Sequence, residues 1–293
     1  MSEERVWETV ALRLEGLELL KNRVDLRLMD YKNCGSWDLI GAQEPDLDPN
    51  FIAELNNQFK TRFGLTEVYH KDTDFQAKFG FKGYRSAYFN AHEGAINTGK
   101  MIAQLYQQCI AAGVQFLFAT EVKDWLSTEK EVCIDTTYGQ LYAQHLFLCT
   151  NGFAQAYFQD ELRPARAQVV VTKPLAHQVK GTFHSDRGYY YFRDLGQRIL
   201  LGGGRQLDFQ TETTTAFEKN ELILSALLHK LQEEILPGQA FEIDYEWSGI
   251  MCVGAEKKPI IRSLNKNVHA GVRMGGMGVA IGSAVGAALS KLV

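Results

Sequence analysis

Several familiar signatures are missing from this 293-residue chain, and each absence excludes a class of protein. Its five cysteines, Cys34, Cys109, Cys133, Cys149 and Cys252, are odd in number and include no C-x-x-C pair. They read as free thiols of a reducing cytoplasm rather than a disulfide framework. Cys133 and Cys149 lie in apolar, strand-like runs, where a thiol behaves as a small hydrophobe. No run of Lys or Arg offsets the net charge of −4. That argues against a nucleic-acid surface, because phosphate binding needs clustered cations; Lys257-Lys258 is read as a solvated turn. Seven histidines are scattered without H-x-x-x-H or H-E-x-x-H spacing, so no metal is expected. The longest apolar stretch, 275–289, falls short of the ~18 residues of a spanning helix and is rich in glycine. The opening Met1-Ser2-Glu3-Glu4-Arg5 is charged and does not resemble a leader. There is no G-x-G-x-x-G between a strand and a helix, and Ser248 in Trp-Ser-Gly lacks the G-x-S-x-G elbow of a hydrolase.

What is present is the patterning of a large globular chain, long enough for one large domain or two modest ones. Residues 5–24 place Val6, Val10, Leu14, Leu17, Leu20 and Val24 on one side of a helix. Strand-like runs follow at 25–31 and 36–40. A helix is expected over about 48–63, with Asp48 as N-cap and Pro49 in its first turn. Residues 64–96 are aromatic and short-stranded. A helix over 97–112 ends at Gly113, an apolar strand is expected at 114–118, and strands at 132–136 and 141–150 flank a turn at Tyr138-Gly139. These form part of an α/β dinucleotide-binding domain. From 167 to 203 the pattern becomes antiparallel, with strands at 168–172, 188–193 and 199–201. A long helix over 214–235 carries Phe217, Leu222, Leu224, Leu227, Leu228 and Leu231 and stops at Pro237-Gly238. A strand at 241–249 precedes the closing strand 268–272, glycine turn and helix.

The closing turn is the most informative stretch. Gly275, Gly276 and Gly278 follow a strand and open a helix, so backbone N–H groups can meet an anion or an electron-rich ring edge where the helix dipole is positive. The plainer reading is close packing, since Gly278, Gly282 and Gly286 recur on one helix face. Asn151-Gly152 ends a buried strand at the edge where ligands bind in open α/β sheets, or is an ordinary turn. Arg193 follows Tyr189-Tyr190-Tyr191-Phe192 and suits either bidentate recognition of a carboxylate or cation–π packing. Arg166 is equally suited to an inter-strand salt bridge. Gly202-Gly203-Gly204 opens no helix and reads as a strand end passing close to a ligand or a neighbouring backbone.

Eight stretches in order resemble one family. They are Glu93-Gly94-Ala95-Ile96-Asn97, Thr120-Glu121-Val122, Leu148-Cys149-Thr150-Asn151-Gly152, Arg163-Pro164-Ala165-Arg166-Ala167-Gln168, Tyr190-Tyr191-Phe192-Arg193, Ile199-Leu200-Leu201-Gly202-Gly203-Gly204, Glu246-Trp247-Ser248-Gly249 and Gly275-Gly276-Met277-Gly278. Together they resemble the D-amino-acid-oxidase and glycine-oxidase (DAO) family of FAD-dependent oxidoreductases. The resemblance implies an α/β fold with an α+β substrate domain: an incomplete FAD/NAD(P)-binding Rossmann-like sheet and a mixed, largely antiparallel substrate domain. The expected division is 93–155 and 240–293 for FAD, and 1–92 and 156–239 for substrate and connecting helices.

The resemblance also implies FAD as cofactor, held by Val122, Asn151, Gly152, Gly275, Gly276, Met277, Gly278 and Val279. Tyr190, Arg193, Met251 and Arg273 are the expected substrate-side residues for a small amine. Two departures stand out. Family members begin with a strand–glycine turn–helix–strand unit of at least ~30 residues that this chain lacks. An arginine that clamps the substrate carboxylate just after the Trp-x-Gly step is replaced by Met251. Arg273, just ahead of the glycine turn, is the replacement candidate, and a Cys252–flavin tether is the minor alternative to a buried thiol. The leading expectation is hydride transfer from a carbon beside an amine nitrogen to the flavin in the cytoplasm, with no catalytic base named. The alternative is a truncated, cofactor-free remnant serving as a binding or assembly subunit, or inactive. An open sheet then implies a homo-oligomer or a covering partner. A flavin enzyme acting on a tRNA base fits the mild acidity poorly.

Overall fold

The computed structural model describes residues 2–177 and 179–293. The helices are α1 (Glu3–Arg23), α2 (Pro49–Phe63), α3 (Phe75–Phe79), α4 (Thr98–Ala111), α5 (Glu221–Lys230) and α6 (Gly278–Leu289). The first seven strands are β1 (Ser36–Gly41), β2 (Tyr69–Lys71), β3 (Tyr84–Asn90), β4 (Val122–Ser127), β5 (Val132–Thr136), β6 (Gly139–Ala143) and β7 (Leu146–Leu148). The others are β8 (Arg163–Thr172), β9 (Thr182–Ser185), β10 (Tyr190–Leu195), β11 (Arg198–Gly203), β12 (Ile243–Val253), β13 (Ile260–Ser263) and β14 (Val268–Val272). The chain forms two compact units: 1–30, 97–165 and 251–293 in one, 31–96 and 166–250 in the other. Residues 1–30 thus belong with the C-terminal helix rather than with residues 31–92.

In the first unit, β14 runs parallel to β7 and antiparallel to β13, and β4-β5-β6 form a separate antiparallel meander. All five residues of β14 are buried, as a strand covered on both faces requires. Helix α6 packs on it: Gly271 leaves the space into which Val285 and Leu289 of α6 fit. Helix α1 lies against α6 through Gly16, where even a Cβ would fall 2.1 Å from the carbonyl oxygen of Ala280. The buried face of α1 is consequently Trp7, Thr9, Gly16 and Leu20, whereas Val6 is exposed.

The second unit is organised by an eight-stranded sheet of order β12-β8-β11-β10-β9-β1-β3-β2. Phe183, Phe192 and Leu201 on neighbouring strands form one core with Ile223, Leu224, Leu227 and Leu231 of the helical segment. Burying side chains of this size stabilises by about 1.5–3 kcal/mol each. Trp37, Phe183 and Phe192 stack in succession, with centroid separations of 5.2 and 4.7 Å. Helix α2 begins as expected: the Asp48 carboxylate accepts from the Asn50 N–H, Pro49 fills the first turn, and Gly64 closes the helix at φ +70°.

Several expected elements differ. Residues 25–31 form turns, because the Asp25 carboxylate accepts from the Arg27 N–H and Asp30 is left-handed at φ +52°. The apolar run 114–118 is irregular, with Leu117 and Phe118 exposed. No ladder partner flanks it among the described residues, and Phe116 and Phe118 pack instead against Tyr106 of α4. The run 141–150 divides into β6 and β7, which pair in different sheets. Cys149, beyond the end of β7, is exposed rather than buried. The long helix starts at Glu221, not 214: Asn220 caps it through the Leu222 N–H, while Thr214 holds a turn through the Ala216 N–H. Phe217, Leu222 and Leu228 are therefore exposed. Strands β4, β9 and β13 were not anticipated.

Candidate cofactor site and substrate face

The parallel strands β7 and β14 deliver two loops from their carboxyl ends. Asn151, left-handed at φ +49°, aims its side-chain oxygen at the second loop and accepts from the N–H groups of Arg273 and Met274 at 3.1 and 3.2 Å. Beyond Arg273 the chain turns through Gly275 and Gly276, at φ +59° and +77°. Only glycine adopts two such conformations in succession at little cost. The Gly275 N–H donates to the Cys252 carbonyl, and a Cβ at Gly276 would sit 3.2 Å from the Met251 Sδ. Asn151, Met251, Cys252 and the glycine turn are thereby gathered in one place. Gly152, next in the chain, is buried.

Helix α6 opens directly from this turn with no side chain capping its first N–H groups. Gly275, Gly276, Gly278 and Val279 are exposed and Met277 partly so. A helix start left uncapped and open presents unsatisfied donors and the positive end of a dipole. The close-packing reading of Gly278, Gly282 and Gly286 does not describe them: a Cβ at Gly282 or Gly286 meets no described atom within 4 Å, and one at Gly278 meets only Met274. The close backbone approach to α6 is made by Gly16. Val122 is exposed at the start of β4, where the register with β5 shifts.

Arg273, the expected replacement clamp, has a different occupation. It is 8% exposed, and its Nε and Nη1 donate to the carbonyls of Lys258 and Glu161, each at 2.8 Å. The guanidinium ties loops of its own unit together, because buried donors of this kind must be matched. Cys252 is fully buried and burial pushes its thiol up from the usual range, in keeping with an inert core thiol.

In the second unit, alternation along β10 separates the other two substrate-side candidates. Tyr190 is buried in the core shared with α5, with the Lys230 ammonium 4.6 Å from its ring centre. Arg193 projects from the opposite sheet face, as does Tyr191, because strand residues two apart share a face. Tyr191 lies across Gly202, where a Cβ would come within 2.4 Å of its hydroxyl oxygen. Gly203 passes the backbone of Tyr189 similarly closely. One Arg193 donor bonds the Ile96 carbonyl at 2.8 Å. Tyr191 could have been selected from sequence by counting two residues back from Arg193.

Arg166 resolves as a salt-bridge partner. Its guanidinium bonds both carboxylate oxygens of Glu212 at 3.0 and 2.7 Å, with both residues essentially inaccessible. Gln168 and Asn220 also donate to that carboxylate. Burial alone would raise the Glu212 carboxyl, yet these donors hold it below the usual range.

A family model described as FAD-dependent oxidoreductase, DAO, matches residues 2–292. The chain belongs to that family. Among curated proteins no sequence matches. Solved structures share the fold. An L-proline dehydrogenase from P. horikoshii superposes with a TM-score of 0.76 at 17% identity, covering 96% of this chain and 77% of that one. A glycine oxidase from Geobacillus kaustophilus gives 0.76 at 17%, covering 97% and 78%. An L-amino acid deaminase from Proteus vulgaris gives 0.72 at 15%, covering 97% and 76%.

FAD is the cofactor of this family, and the DAO-family turn in this chain fits it. The donors of the α6 start are open, no side chain competes for them, and a Cβ-free surface is presented at Gly275. Among the described residues, no helix is long and apolar enough to cross a membrane.

Proposed function

We propose that this chain oxidises the C–N bond of an amine or amino-acid-like substrate, with FAD as acceptor. The observation that carries the reading is the uncapped start of α6, set by Asn151 beside Met251. Backbone N–H groups of Gly276, Gly278 and Val279, within the 275–279 turn, hold the electron-rich edge of the cofactor, and Asn151 fixes the turn that presents them. Gly152 and Val122 are the further cofactor-side residues. Bound there, FAD supplies the electron sink for removal of a hydride from the carbon next to the substrate nitrogen. The chain's own contribution is orientation and water exclusion. Met251 offers an apolar thioether where an arginine would select carboxylates, which favours amines of modest polarity. On the substrate sheet face, Arg193 and Tyr191 supply a guanidinium and a hydroxyl to any carboxylate the substrate carries.

The purified chain, incubated with FAD and passed through a gel-filtration column, is expected to co-elute with a yellow flavin band. Asn151→Ala is expected to lose that band while keeping the parent far-ultraviolet circular dichroism. A folded parent that remains colourless at saturating FAD would overturn the proposal. Once loaded, anaerobic bleaching by a panel of secondary amines and amino acids identifies the substrate class.

A further inference from the structure

We propose that His145, Asn267 and His269, gathered at one end of the parallel strands β7 and β14, form a binding site for a borderline divalent metal ion of the zinc type. All three lie within the first unit. The His145 Nδ1 and the His269 Nε2 face each other at 3.2 Å, although 124 residues separate the two in sequence. No ligand spacing announces such a pair.

The separation of the rings matches an ion held between them. Metal–nitrogen bonds of about 2.0–2.1 Å to two nitrogens 3.2 Å apart make an angle of about 100° at the metal, near that of a tetrahedron. The tautomer is set from behind. His269 Nδ1 lies 2.8 Å from the Ser263 hydroxyl oxygen, so an Nδ1–H donating there leaves the Nε2 lone pair free. A ligating imidazole ordinarily has its second nitrogen held in this way. His269 is buried on an interior strand between β7 and β13, whereas His145 is exposed, which gives an ion its way in.

An independent observation supplies the third ligand. Asn267 is 5% exposed, and its backbone carbonyl accepts from the Leu146 N–H at 2.8 Å, extending the β7–β14 ladder by one residue. Its side chain therefore stands on the same sheet face as His269, two residues along, and beside His145 in the register. The side-chain amide nitrogen donates to the Gln144 carbonyl at 2.8 Å, which fixes the orientation of the amide. The buried Oδ1 at its other end has no partner among the described residues. A buried oxygen left unmatched is costly, and a cation matches it. The adjoining cation, Lys266, reaches the Glu129 carbonyl instead. Two imidazoles and an amide oxygen suit Zn²⁺ rather than Mg²⁺ or Ca²⁺, which favour shells of oxygen alone. Among the described residues no third histidine, cysteine or carboxylate joins them. Water then completes the shell, and the affinity lies below that of a site with four protein ligands.

This inference does not require FAD to bind, and its test reads metal binding alone. The full chain, stripped with EDTA and free of FAD, would be titrated with ZnCl₂ by isothermal calorimetry, with MgCl₂ as the control. One equivalent of Zn²⁺ is expected to bind with a Kd of about 1–100 µM, and Mg²⁺ not at all. His145→Ala, at an exposed position, should weaken binding by about tenfold or more, since even an outer-shell partner is worth that much. His229→Ala, exposed on α5 of the other unit, should leave it unchanged. Long-range ¹H–¹⁵N spectra of the parent's imidazoles locate the ion without any variant, and decide the question if His145→Ala does not fold. Zn²⁺ should shift the His145 Nδ1 and His269 Nε2 resonances. No saturable Zn²⁺ binding, equal binding of Mg²⁺, undiminished binding by His145→Ala, an equal loss in His229→Ala, or shifts confined to other histidines overturns the proposal.

Discussion

Two alanine substitutions in one helix pair have opposite expected signs. In Gly16→Ala, the new Cβ would sit 2.1 Å from the Ala280 carbonyl oxygen and 2.9 Å from the Ile281 Cα. Both obstacles are backbone, so no side chain can swing aside. Restoring an ordinary separation of at least 3.4 Å requires α1 and α6 to part by about 1.3 Å. Overpacking of this kind costs about 1–3 kcal/mol, and the helix-propensity gain of about 1 kcal/mol recovers only part when α1 must lift along its length. Trp7 and Leu20 lose contact as it lifts, which places the net loss at about 2 kcal/mol or more. Gly282→Ala, on the open face of α6, meets no described atom within 4 Å. It should gain up to about 1 kcal/mol from propensity alone. At about 2–4 °C per kcal/mol, Tm should fall by roughly 4–8 °C for Gly16→Ala and rise by roughly 2–4 °C for Gly282→Ala. Differential scanning calorimetry distinguishes them directly. A Gly16→Ala protein as stable as the parent would refute the packing argument. A Gly282→Ala protein that loses stability would show that its face is covered.

Other consequences are equally measurable. Glu212→Gln strips the charge partner from buried Arg166 and should lower urea-unfolding stability by about 3–5 kcal/mol; parental stability would refute the pair's role. Because the folded Glu212 carboxyl lies below its ordinary value, its contribution is complete above the unfolded pKa of about 4.3 and is lost as pH falls through the folded value. The stability gap between parent and Glu212→Gln should therefore close in acid, and a pH-independent gap contradicts it. His269 is buried, bonded to Ser263 at 2.8 Å, and held below the ordinary imidazole value by burial and by His145. Its contribution is present above an unfolded pKa of about 6.5 and is lost on acidification, so His269→Gln should flatten stability between about pH 6.5 and the folded value. Arg193→Gln should raise KM by about tenfold or more for carboxylate-bearing substrates and leave simple amines unchanged; equal effects on both refute carboxylate recognition.

The elements readable from sequence were those whose local chemistry and burial agree. Helix α2 has its cap, first-turn proline and closing glycine written consecutively, and β14 with its glycine turn is apolar in a single block. Where neighbours decide, reading fails. The run 114–118 has strand composition but no flanking ladder among the described residues, and 141–150 divides because its halves pair with β5 and with β14. At the candidate cofactor site, the glycines and Asn151 were visible as turn-formers, and the structure adds that one side-chain oxygen joins their loops. Arg273 looked like a ligand clamp because two backbone carbonyls, at Glu161 and Lys258, are invisible in one dimension. Tyr190 and Tyr191 differ only in strand phase, which no composition reveals.

The approach of α1 to α6 also sets a timetable. Gly16 and Ala280 meet in the finished protein, yet more than 250 residues of sequence separate them. At about 5–20 residues per second, roughly 15–50 s separate their emergence from the ribosome. Throughout that interval Trp7 and Leu20 have no α6 against which to pack, and closing so long a loop contributes nothing until α6 appears. Helix α1 is thus secured only once the far later helix α6 has been made.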